Sequence, residues 1–222
     1  MPGDVTLIAD PRVLAIPIRE CGESLVDLRE VVGVAIDERK RDADGLWLHA
    51  RVGVADRLRD IERSCPAGIR LLLVEGYRPV QVQRRYFDEY LARLTRDHPE
   101  WDAATLRARA SRYVAPPDIE PPHSTGGAID VTLVGDDGRE LDLGTAVNAS
   151  PEESGGACFT NAGGLGAVAQ ANRTILAKLM SDRGFVNYGT EWWHWSYGDR
   201  YWAFTTDQAA ACYGSIAPPP SG

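Results

Sequence analysis

Apolar positions recur along this chain at two different periods. From Val52 the spacing is helical: Val54, Leu58 and Ile61 share a face, while Arg57, Arg59, Asp60 and Glu62 lie elsewhere. The run Arg70-Leu71-Leu72-Leu73-Val74, bounded by Gly68 and Gly76, predicts a short, fully buried strand. Pro79 stands where a helix can begin, and Gln83, Phe87, Tyr90 and Leu94 carry it on to His98-Pro99. A further helix is expected over 101–113. Residues 37–45 (DERKRDADG) read as a charged, solvated connection, and 116–122 (PPDIEPP) as a stiff irregular segment. Strict alternation then sets in: Ile129, Val131 and Leu133 against Asp130 and Thr132, the pattern of a half-buried strand. Asp136-Asp137-Gly138 signals a hairpin turn, with Leu141 and Leu143 on the returning strand. A helix over 168–180, capped by Gly184, and a last pair of strands over 185–188 and 192–197 complete the pattern.

Strands joined by turns, with helices mostly in the first half, predict an α+β fold: a single domain with a central antiparallel sheet flanked by helices. No linker divides it, so residues 1–217 are expected to form one domain, followed by a flexible Pro-rich tail at 218–222. The 222 residues suffice for a sizeable core.

Charge changes the picture by exclusion. With 24 Lys+Arg against 32 Asp+Glu the net charge is −8, which argues against nucleic acid or an anionic membrane surface as partner. No stretch reaches the ~18 apolar residues of a membrane span. Residues 1–20 carry Asp4 and Asp10 and show no secretory signal pattern, so a cytoplasmic protein is expected. Cys21, Cys65, Cys158 and Cys212 are scattered without metal-binding spacing and read as reduced, inert thiols.

Two segments carry candidate chemistry: His123-x6-Asp130 in PPHSTGGAIDVTL, and Glu191-Trp192-Trp193-His194. A catalytic zinc takes three ligands from His and Asp/Glu and keeps a fourth position for water. His123, Asp130 and His194 supply such a set, with Gly126 and Gly127 letting the loop fold tightly before the strand. Residues i and i+3 on a regular strand face opposite ways. Tyr188-Gly189-Thr190 reads as a turn, however, which places Glu191 before the pleat begins, free to act as general base on a water. Arg78, at a strand end in Glu75-Gly76-Tyr77-Arg78-Pro79, can hold an oxyanion; taken alone, a salt bridge to Glu75 is the simpler reading. His49 and His98 read as core or surface, and Trp192, Trp193, Trp195 and Trp202 as core or pocket wall.

Together, H-S-x-G-x-A-x-D, E-W-W-H and an upstream G-Y-R-P resemble the zinc D-alanyl-D-alanine dipeptidases of the VanX type, in the hedgehog/D-Ala-D-Ala metallopeptidase superfamily. The resemblance runs from about Gly22 to about Tyr197. It implies a hedgehog/DD-peptidase-like α+β domain, one Zn2+ per chain on His123, Asp130 and His194, Glu191 as catalytic base and Arg78 as transition-state stabiliser. It also implies a cytoplasmic enzyme acting on a small dipeptide. The sequence departs from that family where the substrate is held. The typical M-G-(S/T)-x-F-D, whose aspartate meets the substrate ammonium, reads Leu143-Gly144-Thr145-Ala146-Val147-Asn148, so a substrate-binding Asn148 replaces a carboxylate. A tyrosine-bearing segment is replaced by residues 29–45, and Pro121 stands where a serine is usual. The leading expectation is a D-Ala-D-Ala dipeptidase. The alternative keeps the chemistry and takes another small peptide or amide, in peptidoglycan or specialised metabolism; a third reading is a binding module with structural zinc, against which Glu191 speaks.

Overall fold

The computed structural model describes residues 5–31 and 33–219. Near the N-terminus, Asp10 caps a single helical turn, α1 (Pro11–Leu14), and Val13 anchors it. β1 (Leu25–Asp27) follows, then a short β2 (Ala35–Ile36) and β3 (His49–Arg51). β1 and β3 pair antiparallel in a small separate sheet, with Leu25 opposite Arg51. The helical pattern after Val52 forms α2 (Val52–Glu62), which buries Val54, Leu58 and Ile61 completely.

The apolar run forms β4 (Ile69–Glu75), buried from Leu71 onward; Arg70, inside the predicted strand, stays exposed. Pro79 leads into α3 (Val80–Asp97), and Asp102 caps α4 (Ala103–Ala110), shorter than the expected 101–113. The two helices pack on Phe87, Tyr90, Leu94, Leu106 and Ala110 in a core of their own. β5 (Ala128–Gly135) comes next, then α5 (Ala167–Ser181), β6 (Val186–Asn187), β7 (His194–Ser196) and α6 (Arg200–Thr205).

The main sheet has five strands in the order β2-β4-β5-β7-β6. All its pairings are antiparallel except the edge pair β2–β4, which is parallel. Two expectations are revised by this order. β5 lies in the middle of the sheet between β4 and β7, so it is buried on both faces rather than half-buried. The Asp136–Gly138 turn is present, but the returning strand shrinks to one bridge, Val134 with Glu140. Beyond it, Leu143 and Val147 enter the core from an irregular segment.

That irregular segment needs polar ties, because its carbonyls have no ladder to join. Arg173 on α5 supplies them, donating to the carbonyls of Leu143 (2.7 Å), Phe159 (2.7 Å) and Ala157 (2.8 Å). Burial pushes its pKa down to about 10. Arg51 ties segments near both ends of the chain to its middle, donating to the carbonyls of Thr125 (2.7 Å) and Gly214 (2.9 Å) and to Glu20. Of the Pro-rich tail, 220–222 lie outside the described residues, and 217–219 form no helix or strand. Among the described residues no helix is long and apolar enough to cross a membrane.

Candidate active site

Strand register builds the site. Glu75 on β4 pairs with Asp130 on β5, and Asp130 pairs with His194 on β7. One row across three strands therefore brings these side chains together. A register shift between Leu73 and Glu75 re-aims the end of β4.

His123 arrives from the short 3-10 turn Pro122–Thr125. Gly126 ends that turn at φ +71°, and a Cβ on Gly127 would lie 2.4 Å from the Tyr197 carbonyl oxygen. Only glycines let the loop double back so close to β7. Glu191 and His194 are joined by a turn in which the His194 N–H donates to the Glu191 carbonyl (3.2 Å). That turn, not a strand, puts i and i+3 on one side; the sequence placed Glu191 before the pleat but expected the strand from Trp192, and it begins only at His194. Asn187 stitches it, donating from Nδ2 to the carbonyls of Glu191 and His194, both at 3.0 Å.

The three donors converge. His123 Nε2 is 3.1 Å from His194 Nδ1 and 3.3 Å from Asp130 Oδ1, and His194 Nδ1 is 3.1 Å from Asp130 Oδ1. Ligands about 2.0–2.2 Å from a tetrahedral zinc stand roughly 3.3–3.5 Å apart, so the set fits that ion closely. The outer ring nitrogens are engaged as well: His123 Nδ1 lies 2.7 Å from the Gly76 carbonyl oxygen, and His194 Nε2 lies 3.5 Å from Ser196 Oγ. With the proton on each outer nitrogen, the tautomer a metal would select, the inner lone pairs face one point.

All four residues are buried. Burial lowers the His194 pKa and so favours the neutral imidazole a metal needs. Burial opposes the charge of Asp130, yet His123 and His194 hold its carboxyl below the usual range. Glu191 behaves oppositely. Burial, then the negative charge of Asp130, raises its pKa well above the ordinary value. Its Oε2 is 4.0 Å from His194 Nδ1, beside the donor set and not part of it.

Arg78 makes the salt bridge to Glu75: Nε and Nη2 donate to its two oxygens at 2.7 and 2.6 Å, and Nη1 donates to Gln83 Oε1 at 2.7 Å. A guanidinium has five N–H groups, so two remain for a ligand and the two readings of Arg78 are compatible. The Arg78 backbone N–H donates to the His123 carbonyl (3.1 Å), locking the strand end to the His123 loop.

A cleft of about 590 Å³ opens over these residues; Arg78, His123, Asp130, Asn148, Glu191 and His194 all line it. Asn148 takes the left-handed conformation at φ +65°, with Tyr113 Oη donating to its carbonyl. Its segment is pinned to the E-W-W-H turn by Trp192 Nε1, which donates to Thr145 Oγ1 at 2.8 Å. The 37–45 loop is more than a solvated connection. Asp42 orders it by accepting from the N–H groups of Asp44, Leu46 and Trp47, and Arg39 and Lys40 line the cleft. His49 and His98 stay away from the site: His49 Nδ1 meets the Gly45 carbonyl and His98 stacks on Trp101. Trp192, Trp193 and Trp195 are core, and Trp202 is half-buried. A wider groove of about 940 Å³, lined by Phe159, Asn187 and Phe204, contains none of the three donors.

Sequence reasoning did not find Asn187, Ser196, Tyr113 or Lys40. Asn187 alone left a trace, as an amide between the apolar Val186 and Tyr188.

Two histidines and an aspartate facing one point beside a buried glutamate, on an α+β sheet, define the class of metallopeptidases. Comparison with known proteins narrows the class. The D-ala-D-ala dipeptidase family matches residues 49–214, and the chain belongs to that family. A D-alanyl-D-alanine dipeptidase of Synechocystis sp. is 30% identical, over 92% of this chain and 94% of its own. One from Enterococcus faecalis is 32% identical, over 74% of this chain and 84% of its own. Among solved structures, the LdcB LD-carboxypeptidase aligns over 86% of this chain and 76% of its own, at 18% identity and a TM-score of 0.47.

Proposed function

We propose that residues 1–217 form one zinc dipeptidase domain that hydrolyses D-Ala-D-Ala or a closely similar small dipeptide, with one zinc per chain and a cytoplasmic setting. The observation that carries this reading is the Glu191 carboxyl, buried beside the convergent His123, Asp130 and His194 donors and open to the cleft. A site that held metal only for structure would have no use for it.

Bound zinc would supply a Lewis acid that acidifies a water and polarises the scissile carbonyl. Glu191 takes one proton from the attacking water, whose oxygen bonds to the carbonyl carbon. The two free N–H groups of Arg78 hold the carbonyl oxygen as negative charge gathers on it. As the C–N bond breaks, Glu191 returns the proton to the leaving nitrogen and two amino acids result. Burial and the nearby Asp130 charge, which raise the Glu191 pKa in the metal-free site, make its carboxylate a stronger base than an exposed one. Asn148 faces the same cleft and, in this reading, meets the amino end of the substrate through its side-chain amide.

Asn148 also favours a second reading. An amide carries no charge to match an ammonium, so a substrate with a blocked amino group loses less here than beside a carboxylate. The test is hydrolysis of D-Ala-D-Ala, L-Ala-D-Ala, L-Ala-L-Ala and N-acetyl-D-Ala-D-Ala by zinc-loaded protein, with Glu191→Gln as the blank. Glu191-dependent cleavage confined to D-Ala-D-Ala supports the first reading. Faster cleavage of the N-acetyl form supports the second, and no cleavage of any of the four removes the first.

A further inference from the structure

The loop at residues 37–45 puts a cation into the cleft that the reaction chemistry does not use. Lys40 lies against the Tyr86 ring, its Nζ 4.8 Å from the ring centroid, and Arg78 leans on the same ring with Cζ at 4.9 Å. Its nearest carboxylate is Glu75, whose Oε2 is 3.8 Å away, too far for a hydrogen bond. Both oxygens of Glu75 already accept from Arg78 at 2.7 and 2.6 Å, so that carboxylate is matched without Lys40.

The other cations of the cleft are committed. Arg39 bonds to Asp37 and Glu140 and Arg93 to Glu153 at 2.8 Å; Arg78 bonds to Glu75 and Gln83, and its two remaining N–H groups go to the carbonyl oxygen in the proposed reaction. Among the described residues, Lys40 Nζ has no hydrogen-bond acceptor, and an ammonium has three donors to place. The side chain is only 22% exposed, so water alone serves it poorly. A half-buried ammonium with free donors, over an aromatic face inside a cleft, selects an anionic ligand group.

Position says which group. Lys40 Nζ and Arg78 Nη2 both approach Glu75 Oε2, at 3.8 and 2.6 Å, so the two cationic heads are neighbours. In a dipeptide the terminal carboxylate follows the scissile carbonyl by one residue, about 3.5 Å along an extended chain. With Arg78 on the carbonyl oxygen, a carboxylate one residue further along comes within reach of the neighbouring Lys40. We infer that Lys40 anchors the C-terminal carboxylate of the substrate and makes the enzyme require a free acid at that end. The inference rests on the dipeptidase reading and names a specificity residue within it.

The test compares D-Ala-D-Ala with its C-terminal carboxamide as substrates for zinc-loaded wild type, Lys40→Gln and Lys40→Arg. Wild type should prefer the acid by about tenfold or more in kcat/KM, the scale of a charge-assisted hydrogen bond. Lys40→Gln should raise KM for the acid about tenfold with kcat kept, and leave the carboxamide unchanged; Lys40→Arg should restore the preference. Equal losses on acid and carboxamide, or a fall in kcat alone, would overturn the assignment, because a residue that merely steadies Glu75 cannot tell the two substrates apart. A second arm needs no turnover: calorimetric binding of D-Ala-D-Ala to zinc-loaded Glu191→Gln, with and without Lys40→Gln. If wild type cleaves neither dipeptide, the dipeptidase reading fails on its own. Lys40-dependent binding would then still support the anchor, and binding indifferent to Lys40 or absent would overturn it.

Discussion

The cleft has two unlike walls. One is made of β5, β7, the Pro122–Thr125 turn and the Glu191–His194 turn; its functional side chains are all buried and its backbone is tied by ladder bonds and by Asn187. The other is made of the 37–45 loop, the start of α3 and the segment around Asn148. It is partly exposed, rich in charge and held by single side chains such as Asp42, Tyr113 and Arg173. The first wall holds its donors by strand pairing and backbone ties, the preorganisation that bond-making chemistry requires. In the proposed reading the second sorts substrates by a few charges and amides. A wall built from single contacts can change its selectivity without disturbing the metal donors opposite.

Breaking the first wall should have the largest effect. Glu191→Gln is expected to lower kcat by about 10²–10⁴-fold while zinc stays bound, checked by metal analysis beside the activity assay. The same change should stabilise the metal-free protein. The native pKa of Glu191 is raised above its ordinary value, so the folded state binds its proton more tightly than the unfolded state. Stability from this residue is then present at low pH and lost as pH rises through its native value. Melting of chelator-treated protein across pH should show that loss in wild type and its absence in Glu191→Gln; parallel curves would contradict the burial argument.

Glu75→Gln comes next and joins the walls. Removing one partner of the buried Glu75–Arg78 pair, whose side chains are 3% and 11% exposed, is expected to cost about 3–5 kcal/mol in denaturant unfolding. The pH sign is opposite to that of Glu191. Burial opposes the charge of Glu75, but Arg78 holds its pKa below the ordinary 4.5, so the pair's stabilisation is present above that value. It is lost as pH falls through the native pKa, and the two variants should diverge in opposite directions along the same titration.

The donor wall was legible in sequence because the chemistry expected of it depends on residue types that are scarce here. With four histidines in the chain, two of them set in glycine- and tryptophan-rich motifs, His123 and His194 stood out. Asp130 stood out through strand alternation, although its strand proved buried on both faces. Glu191 required a turn to be read before a strand, which Tyr188-Gly189-Thr190 permitted. The other wall was illegible for the converse reason. Lys40 sits in DERKRDADG among charges that look alike, and only the fold selects which of them turns inward. The parallel β2–β4 edge likewise left no local signal, since two residues make no period. Arg173 reads as an ordinary helix cation until four carbonyls are seen around it.

Behind the donors the effects should be smaller. Ser196→Ala removes the acceptor facing His194 Nε2. Such outer partners are worth about 10–100-fold in metal affinity, and a contact as long as 3.5 Å points to about tenfold. Zinc competition with a chelator of known affinity measures it. A change of a hundredfold or more would mean that Ser196 also positions Asp199, buried behind it with one oxygen unpartnered among the described residues.

Asn148→Asp should have the smallest effect and sharpen the comparison most. The backbone there is left-handed, a conformation aspartate tolerates nearly as well as asparagine, so the substitution changes charge with little strain. If Asn148 meets the amino end of the substrate, the new carboxylate should raise the preference for D-Ala-D-Ala over its N-acetyl form by about fivefold, the scale of a partly exposed ion pair strengthened by a hydrogen bond. Zinc affinity should stay as it was, because among the described residues Asn148 makes no hydrogen bond to a donor, and its segment meets the donor wall through Trp192 and Thr145 and through core packing of Leu143 and Val147. Should the preference stay flat while Lys40→Gln still separates acid from carboxamide, only the carboxylate end of the substrate is read by charge. The amino end would then lie beyond Asn148, toward Tyr90 and Glu89 on α3, where the cleft continues.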